Sequence, residues 1–191
     1  MNHRHVAGAI ACLLLSAPPL AAQRQAAAAP GSPRAVAQRA LAAQATRDPE
    51  GFAREVSPQD LAAFRAQLLP SVQKALAGDT RAQALAMFAP AKSYAEIEKL
   101  PAERVYALYL AAVMKRVGSA GPLQVSNAVL GEVPEGDSLV HVVYRQRVRS
   151  GSAGANNVAV LTLRRTPGGW KVMLDAGQTG AAGPPGAAPR Q

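Results

Sequence analysis

The sequence contains little of the chemistry that most catalytic and metal sites need. It has one cysteine, Cys12, and three histidines, of which His3 and His5 lie at the extreme N-terminus. If residues 1–22 are removed as a signal peptide, the mature chain has no disulfide, no thiol nucleophile and no cysteine-based metal site. His141 is then the one imidazole that remains. We therefore expect no cofactor and no metal.

The sequence also lacks an apolar run long enough to span a bilayer. Residues 3–5 form a weakly basic start, residues 6–20 are apolar, and Ala22 ends a small-residue cleavage motif. This pattern predicts a signal peptide over residues 1–22 and export to the periplasm or the extracellular space, without a transmembrane anchor. A lipoprotein would carry its cysteine just after the apolar run, whereas Cys12 lies inside it.

The net charge of +9 is not concentrated in one region. Residues 23–48 carry +3, from four arginines against Asp48, while residues 49–122 and 123–175 carry +2 each. A nucleic-acid-binding domain usually gathers its positive charge on one face. We expect no specific nucleic-acid partner, and the partner predicted instead is an unknown small ligand or envelope protein.

Composition divides the rest of the chain into three segments. Residues 23–48 are interpreted as a flexible low-complexity segment, and residues 177–191 as a disordered tail rich in Gly, Pro and Ala. Residues 49–176 are predicted to be a single α+β domain. Residues 35–46 are rich in alanine and favour a helix, but they offer few bulky side chains to bury, so the order of this segment stays open.

Helical patterns fill the first part of the domain. Ser57 is a candidate N-cap, Pro58 suits the first helical position, and Asp60 approximates a capping box. Pro70 is expected to kink or restart this helix. Residues 101–117 carry an apolar stripe wide enough to cover a sheet.

Four β-type segments follow the helices, at residues 123–130, 138–149, 157–165 and 169–175. Short turn sequences join them, which predicts an antiparallel meander. The fold class is therefore α+β, with N-terminal helices packed on a curved four-stranded antiparallel meander, a cone-like roll. Residues 138–149 alternate clearly. Val140, Val142, Tyr144 and Val148 share one face, and the opposite face carries His141, Arg145, Arg147 and Arg149.

Several local motifs agree with this order of elements. Ala75-Leu76-Ala77-Gly78-Asp79, followed by Met87-Phe88, is an early helix–turn–helix pattern, and Thr166-Pro167-Gly168-Gly169-Trp170-Lys171-Val172 is a closing hairpin. Over about residues 55–175 the chain resembles the nuclear transport factor 2-like (cystatin-like α+β) superfamily, in particular its uncharacterised bacterial secreted members. Enzymes of that superfamily usually place an Asp–His or Asp–Tyr pair in the cone cavity, and this sequence has no such pair at matching positions. Sheet-face dimers are common among members, so the resemblance also implies that a homodimer is an option.

Two groups of residues are candidate binding sites. Tyr106, Tyr109, Tyr144 and Trp170 would line a ligand pocket if they converge, although a helix-on-sheet core uses the same residues. Arg145, Arg147 and Arg149 form a basic face, with Arg164 and Arg165 on the neighbouring strand. That face would suit an acidic partner, polyanionic envelope material or anionic lipid, or it is a solvated face that opposes aggregation.

The leading functional hypothesis is a non-enzymatic, exported binding module that uses its cone or its exposed sheet face. No catalytic residue is assigned. The alternative is a small hydrolase, isomerase or dehydratase-like enzyme that uses Asp175 or His141 together with tyrosines in the cavity. A general base needs a partner that orients it, and the arginines near His141 do not supply one. Glu135 and Asp137 are assigned to the turn before residue 138.

Overall fold

A computed structural model describes residues 28–118 and 123–174, and it consists of helices followed by strands. The predicted signal peptide, the tail over residues 177–191 and Asp175 lie outside the described residues. The helices are α1 Pro33–Thr46, α2 Pro49–Glu55, α3 Pro58–Ala77, α4 Arg81–Met87, α5 Tyr94–Glu98 and α6 Ala102–Gly118. The strands are β1 Leu123–Glu135, β2 Leu139–Ser150, β3 Ala153–Thr166 and β4 Gly169–Val172.

The four strands form one antiparallel sheet in the order β1-β2-β3-β4. The prediction of an α+β fold with helices on a four-stranded meander is confirmed, and the sheet is open, with β1 and β4 at its edges. A bulge between Val129 and Gly131 shifts the register of β1 on β2. Such a bulge bends a strand and increases its twist, which curves the sheet around the helices.

The predicted faces of β2 are also confirmed. Val140, Val142 and Tyr144 are buried against the helices, while Arg145 and Arg147 are exposed on the other side. We call the helix-covered side the inner face and the opposite side the outer face. On β3, Leu161 and Leu163 lie opposite Val142 and Val140 in the register and complete the inner face.

α1 packs into the core, although residues 23–48 were interpreted as flexible. Val36 and Leu41 are almost fully buried, and Ala37 and Ala40 are completely inaccessible to solvent. Small side chains let the helix backbone approach the sheet closely, so the contact needs no bulky residues. A bidentate ion pair between Arg39 and Glu55, with N–O distances of 2.8 and 2.9 Å, joins α1 to α2. The packed unit therefore begins before residue 49.

The start of α3 is attached to the last strand. The Ser57 N–H donates to the Val172 carbonyl at 2.8 Å, and Asp60 accepts a hydrogen bond from the Leu174 N–H at 3.0 Å. The predicted capping bond from the Ser57 side chain is not formed. α3 also continues through Pro70 as one helix, so the predicted restart does not occur there. In the described part of the chain, no helix is both long and apolar enough to cross a membrane.

Candidate functional site

The four aromatic candidates belong to the inner face and its helices. Tyr106 and Tyr144 are buried, and the Tyr106 and Tyr109 rings both pack edge-on against Phe64, with ring centroids 5.0 and 5.1 Å apart. Tyr109 and Trp170 are partly buried against the same core cluster. None of the four lines the clefts described below. The described contacts of these residues are therefore packing contacts.

Burial changes the acid–base behaviour of these tyrosines. Desolvation raises the pKa of Tyr106 to about 12, with a smaller contribution from charge on Tyr109. Burial also raises the pKa of Tyr109, against the opposing effect of Arg116, and it raises the pKa of Tyr144. A phenol with a raised pKa holds its proton more firmly at neutral pH, so none of these groups is prepared to act as a base.

His141 has an acidic partner that the sequence analysis did not find. Its Nε2 lies 2.7 Å from the Glu135 carboxylate, and its Nδ1 lies 3.1 Å from the Thr162 hydroxyl. All three side chains stand on the outer face, whereas Tyr144 stands on the inner face, so the structure does not bring His141 and the tyrosines together. The signal was available in principle, because Glu135 and His141 flank the β1–β2 turn and a hairpin register makes them diagonal neighbours.

The three predicted arginines lie in one row on the outer face of β2. Arg145, Arg147 and Arg149 are all exposed, and alternation along the strand spaces them by roughly 7 Å. We call them the arginine row. The residues paired with them are small or uncharged: Ala128, Ser126 and Gln124 on β1, and Val158, Asn156 and Gly154 on β3.

The arginine row differs from several other arginines of the molecule in having no carboxylate partner. Arg34, Arg39, Arg54 and Arg104 each lie beside an acidic side chain. Among the described residues, no hydrogen bond or ion pair satisfies the guanidinium groups of the arginine row. Three cations in line without an acid produce a positive potential that extends into the solvent.

Arg164 and Arg165 do not extend this row. Arg164 pairs with Leu139 in the register of β2 and β3, which places it at the opposite end of the sheet from Arg149. Arg165 pairs with Trp170 and stands on the other side of the sheet. The predicted basic face is therefore confined to one end of β2.

A cleft of about 900 Å³ lies at this end of the sheet. The β1 residues Gln124 and Ser126 line it together with Arg147, Arg149 and the hairpin that joins β2 to β3. Two smaller clefts, of about 280 and 440 Å³, lie beside α2 and α6 and between α4 and α6. Arg147 and Arg149 of the arginine row therefore line the largest of these clefts, and the inner-face residues Val125 and Val148 also contribute to it.

Nothing in the described residues indicates a metal centre, because no group of three or more His, Cys, Asp or Glu side chains could hold a metal ion there. No protein-family model matches the chain, and no curated protein matches it either. The charge and exposure of the arginine row suit the binding of anions, and the row offers no acid–base pair to act on them.

Proposed function

We propose that this protein is a non-enzymatic binding module that holds a negatively charged partner on the outer face of its sheet. The observation that carries the proposal is the arginine row, with three exposed guanidinium groups in line and no acid beside them among the described residues. Structural arginines usually pair with acids, as Arg39 pairs with Glu55 in this molecule. Arginines without an acidic partner add little to the stability of the fold, but their guanidinium groups are available to bind an anionic partner.

The chemistry of arginine adds to this argument. Each planar guanidinium group binds a carboxylate or a phosphate through two parallel hydrogen bonds, and it is less strongly hydrated than an ammonium group. Exposed single contacts of this kind contribute about 0.2–1 kcal/mol each. Three of them at regular spacing favour a partner that repeats its own charges rather than a single small anion.

The same proposal includes the cellular setting and the family. Residues 1–22 have the composition of a signal peptide, so we propose that the module works outside the cytoplasm, in the periplasm or the extracellular space. We further propose that it belongs to the nuclear transport factor 2-like superfamily. The order of helices before a four-stranded meander supports this, as do the local motifs of residues 75–79 and 166–172.

A second candidate function rests on His141. Its contacts with Glu135 and Thr162 resemble part of an acid–base array, which favours the enzymatic alternative more than the sequence did. The array is exposed, however, since 31% of the His141 side chain and 66% of the Glu135 side chain are accessible to solvent. Turnover of any substrate that disappears in His141→Gln would support this alternative.

The proposed function is tested by anion binding at two salt concentrations. Fluorescent polyglutamate, inorganic polyphosphate and vesicles rich in an anionic lipid are offered to the wild type and to Arg147→Gln/Arg149→Gln. We expect the wild type to bind at least one of these probes at low salt and to lose affinity as salt is added, because the pairs are exposed and screened. The double variant should lose most of this binding.

A matched control removes the same charge elsewhere, in Arg81→Gln/Arg165→Gln. This control should bind as the wild type does. Equal losses in the two double variants would mean that net charge, and not the arginine row, holds the anion. Failure of all probes at low salt would contradict the proposed function.

A further inference from the structure

One edge of the sheet is open beside the arginine row. β4 pairs with β3 only over residues 163–166, and the Met173 N–H adds one more bond, to the Thr162 carbonyl. Residues 153–161 of β3 therefore have β2 on one side and no described strand on the other. Residues 153–158 and Val160 are exposed. The backbone of this stretch is accessible to a partner.

The direction of the free backbone groups follows from two hydrogen bonds. The Thr162 carbonyl points toward the β4 side at 2.8 Å from the Met173 N–H, and the Arg165 N–H points the other way, to Ser138 at 2.8 Å. Both backbone groups of a residue in an antiparallel strand point to the same side, and the side alternates along the strand. The residues that present both N–H and C=O to the open edge are therefore Gly154, Asn156, Val158 and Val160.

This edge carries none of the features that usually protect an edge strand. Natural sheets interrupt their edges with proline, charged side chains or bulges. The β1 edge has all three, in Pro134, Glu132 and the bulge after Val129. Residues 153–163, in contrast, contain no charged residue and no proline.

The open edge and the arginine row share one surface. Arg145, Arg147 and Arg149 lie opposite Val158, Asn156 and Gly154 in the register, and these are the residues whose backbone groups are free. A strand added to this edge would lie about 10 Å from β2, two strand spacings away. An extended arginine reaches most of that distance, and the small side chains of Gly154 and Asn156 leave its path clear.

We infer that the partner of this module is an extended acidic polypeptide segment, which adds to the open edge of β3 as a further strand and places its carboxylates against the arginine row. This inference rests on the proposed function and names its partner class. Strand addition supplies affinity through backbone hydrogen bonds, and alternate side chains supply specificity. The outer face of the described strands carries no Phe, Tyr or Trp to stack on nucleobases or to anchor in a membrane interface, and the imidazole of His141 is held by Glu135 and Thr162.

The test uses the full chain and a fluorescein-labelled ten-residue peptide in which glutamate alternates with threonine and valine. A second peptide has the same sequence with all central amides N-methylated, which keeps the charge and removes strand pairing. Val158→Pro removes an N–H that points to the open edge, so the ladder with β2 stays intact. Val158→Thr keeps that N–H, and Arg147→Gln is matched by Arg165→Gln.

We expect the acidic peptide to bind the wild type and its N-methylated copy to bind at least about tenfold more weakly, because a lost set of backbone bonds exceeds 1.4 kcal/mol. Val158→Pro should weaken binding by a similar factor, and Arg147→Gln by about fivefold. Val158→Thr and Arg165→Gln should bind like the wild type. Amide exchange measured by NMR should slow at Asn156, Val158 and Val160 when the peptide binds, and change little at Asn157 and Ala159.

Other results would overturn the inference in distinguishable ways. If both peptides bind equally and Arg147→Gln weakens both, the arginine row binds anions without strand addition, and the proposed function survives without this inference. Tighter binding of polyphosphate or of anionic vesicles than of the peptide, with no exchange protection in β3, would assign the surface to those polyanions. If no acidic probe binds, both proposals fail. Should Val158→Pro not fold, as judged by circular dichroism, the comparison of the two peptides decides alone.

Discussion

The two ends of the sheet differ in how far the helices cover them. At the end near the β1–β2 turn, helices cover the inner face, and Val142 and Leu163 are inaccessible to solvent. At the end near the β2–β3 turn, the inner-face residues Ala155 and Asn157 are exposed, and the arginine row stands on the outer face. Strand alternation is regular at both ends, so the difference comes from what the helices cover. One half of β2 stabilises the fold, while the other half carries the surface that we propose for binding.

The largest effect is expected when the same two methyl groups are removed from a buried and from an exposed valine of the sheet. Val142→Ala deletes two buried methyl groups and leaves a cavity between the sheet and the helices, so we expect a loss of about 2–3 kcal/mol in the free energy of unfolding. Val158→Ala deletes the same groups from an exposed position and should cost below about 0.5 kcal/mol. Urea unfolding, followed by circular dichroism, measures both.

Equal losses of unfolding free energy in the two valine variants would contradict the assignment of Val142 as buried and Val158 as exposed. A large loss in Val158→Ala in particular would mean that some part of the chain, or a second copy, covers that end in solution. Repeating the measurement at several protein concentrations separates these two cases, since only a second copy makes the stability depend on concentration.

A smaller loss of stability is expected at high pH, and it comes from the buried phenol of Tyr106. The pKa of Tyr106 is about 12 in the folded protein, against about 10 in the unfolded chain. The folded state therefore holds the phenol proton more firmly. Its contribution to stability is complete below pH 10, and it is lost as the pH rises from 10 through 12. The loss should reach about 1.4 kcal/mol by pH 11.

Tyr106→Phe isolates this effect, because it removes the titrating group and keeps the ring against Phe64. The variant should lose less stability than the wild type between pH 9 and pH 11 in thermal or urea unfolding. Burial raises the pKa of Tyr144 in the same direction, so some alkaline loss will remain. An unchanged alkaline slope in Tyr106→Phe would show that the phenol is hydrated in solution.

At the end of the sheet that the helices cover, near the β1–β2 turn, the strand register was largely predictable from the sequence. Alternation within residues 138–149 is regular, and a slip of one residue would turn Val140, Val142 and Tyr144 to the outer face, so only one register is stable. The role of α1 was not predictable in this way. Its buried residues Ala37 and Ala40 carry no periodic signal of bulky apolar side chains, and only the close approach of the helix to the sheet reveals their contribution.

At the end of the sheet near the β2–β3 turn, the sequence predicted the arginines of the surface but not where the strands begin and end. The sequence identifies the arginine row, yet it places β3 at residues 157–165 and β4 at residues 169–175. The structure starts β3 four residues earlier, at Ala153, and ends β4 at Val172, so β4 does not reach residues 153–161 of β3. Strand ends depend on pairing between distant segments, which a local pattern does not encode. The contact between His141 and Glu135 was missed because the first strand was predicted to end at residue 130, whereas β1 runs to Glu135 and brings it beside His141.

The smallest expected effect is that of Arg147→Gln on the free energy of unfolding, and it is a gain and not a loss. Arg147 has like charges about 7 Å away on both sides and no acid beside it among the described residues. Arg147→Gln relieves this repulsion, so the variant should unfold at the same urea concentration as the wild type or slightly higher, with a gain below about 0.5 kcal/mol. The same substitution is expected to weaken binding of the acidic peptide. A residue that weakens binding when lost, and costs the fold nothing, is there for the partner. A loss above about 1 kcal/mol would instead make the arginine row a structural element and remove the basis of the proposed function.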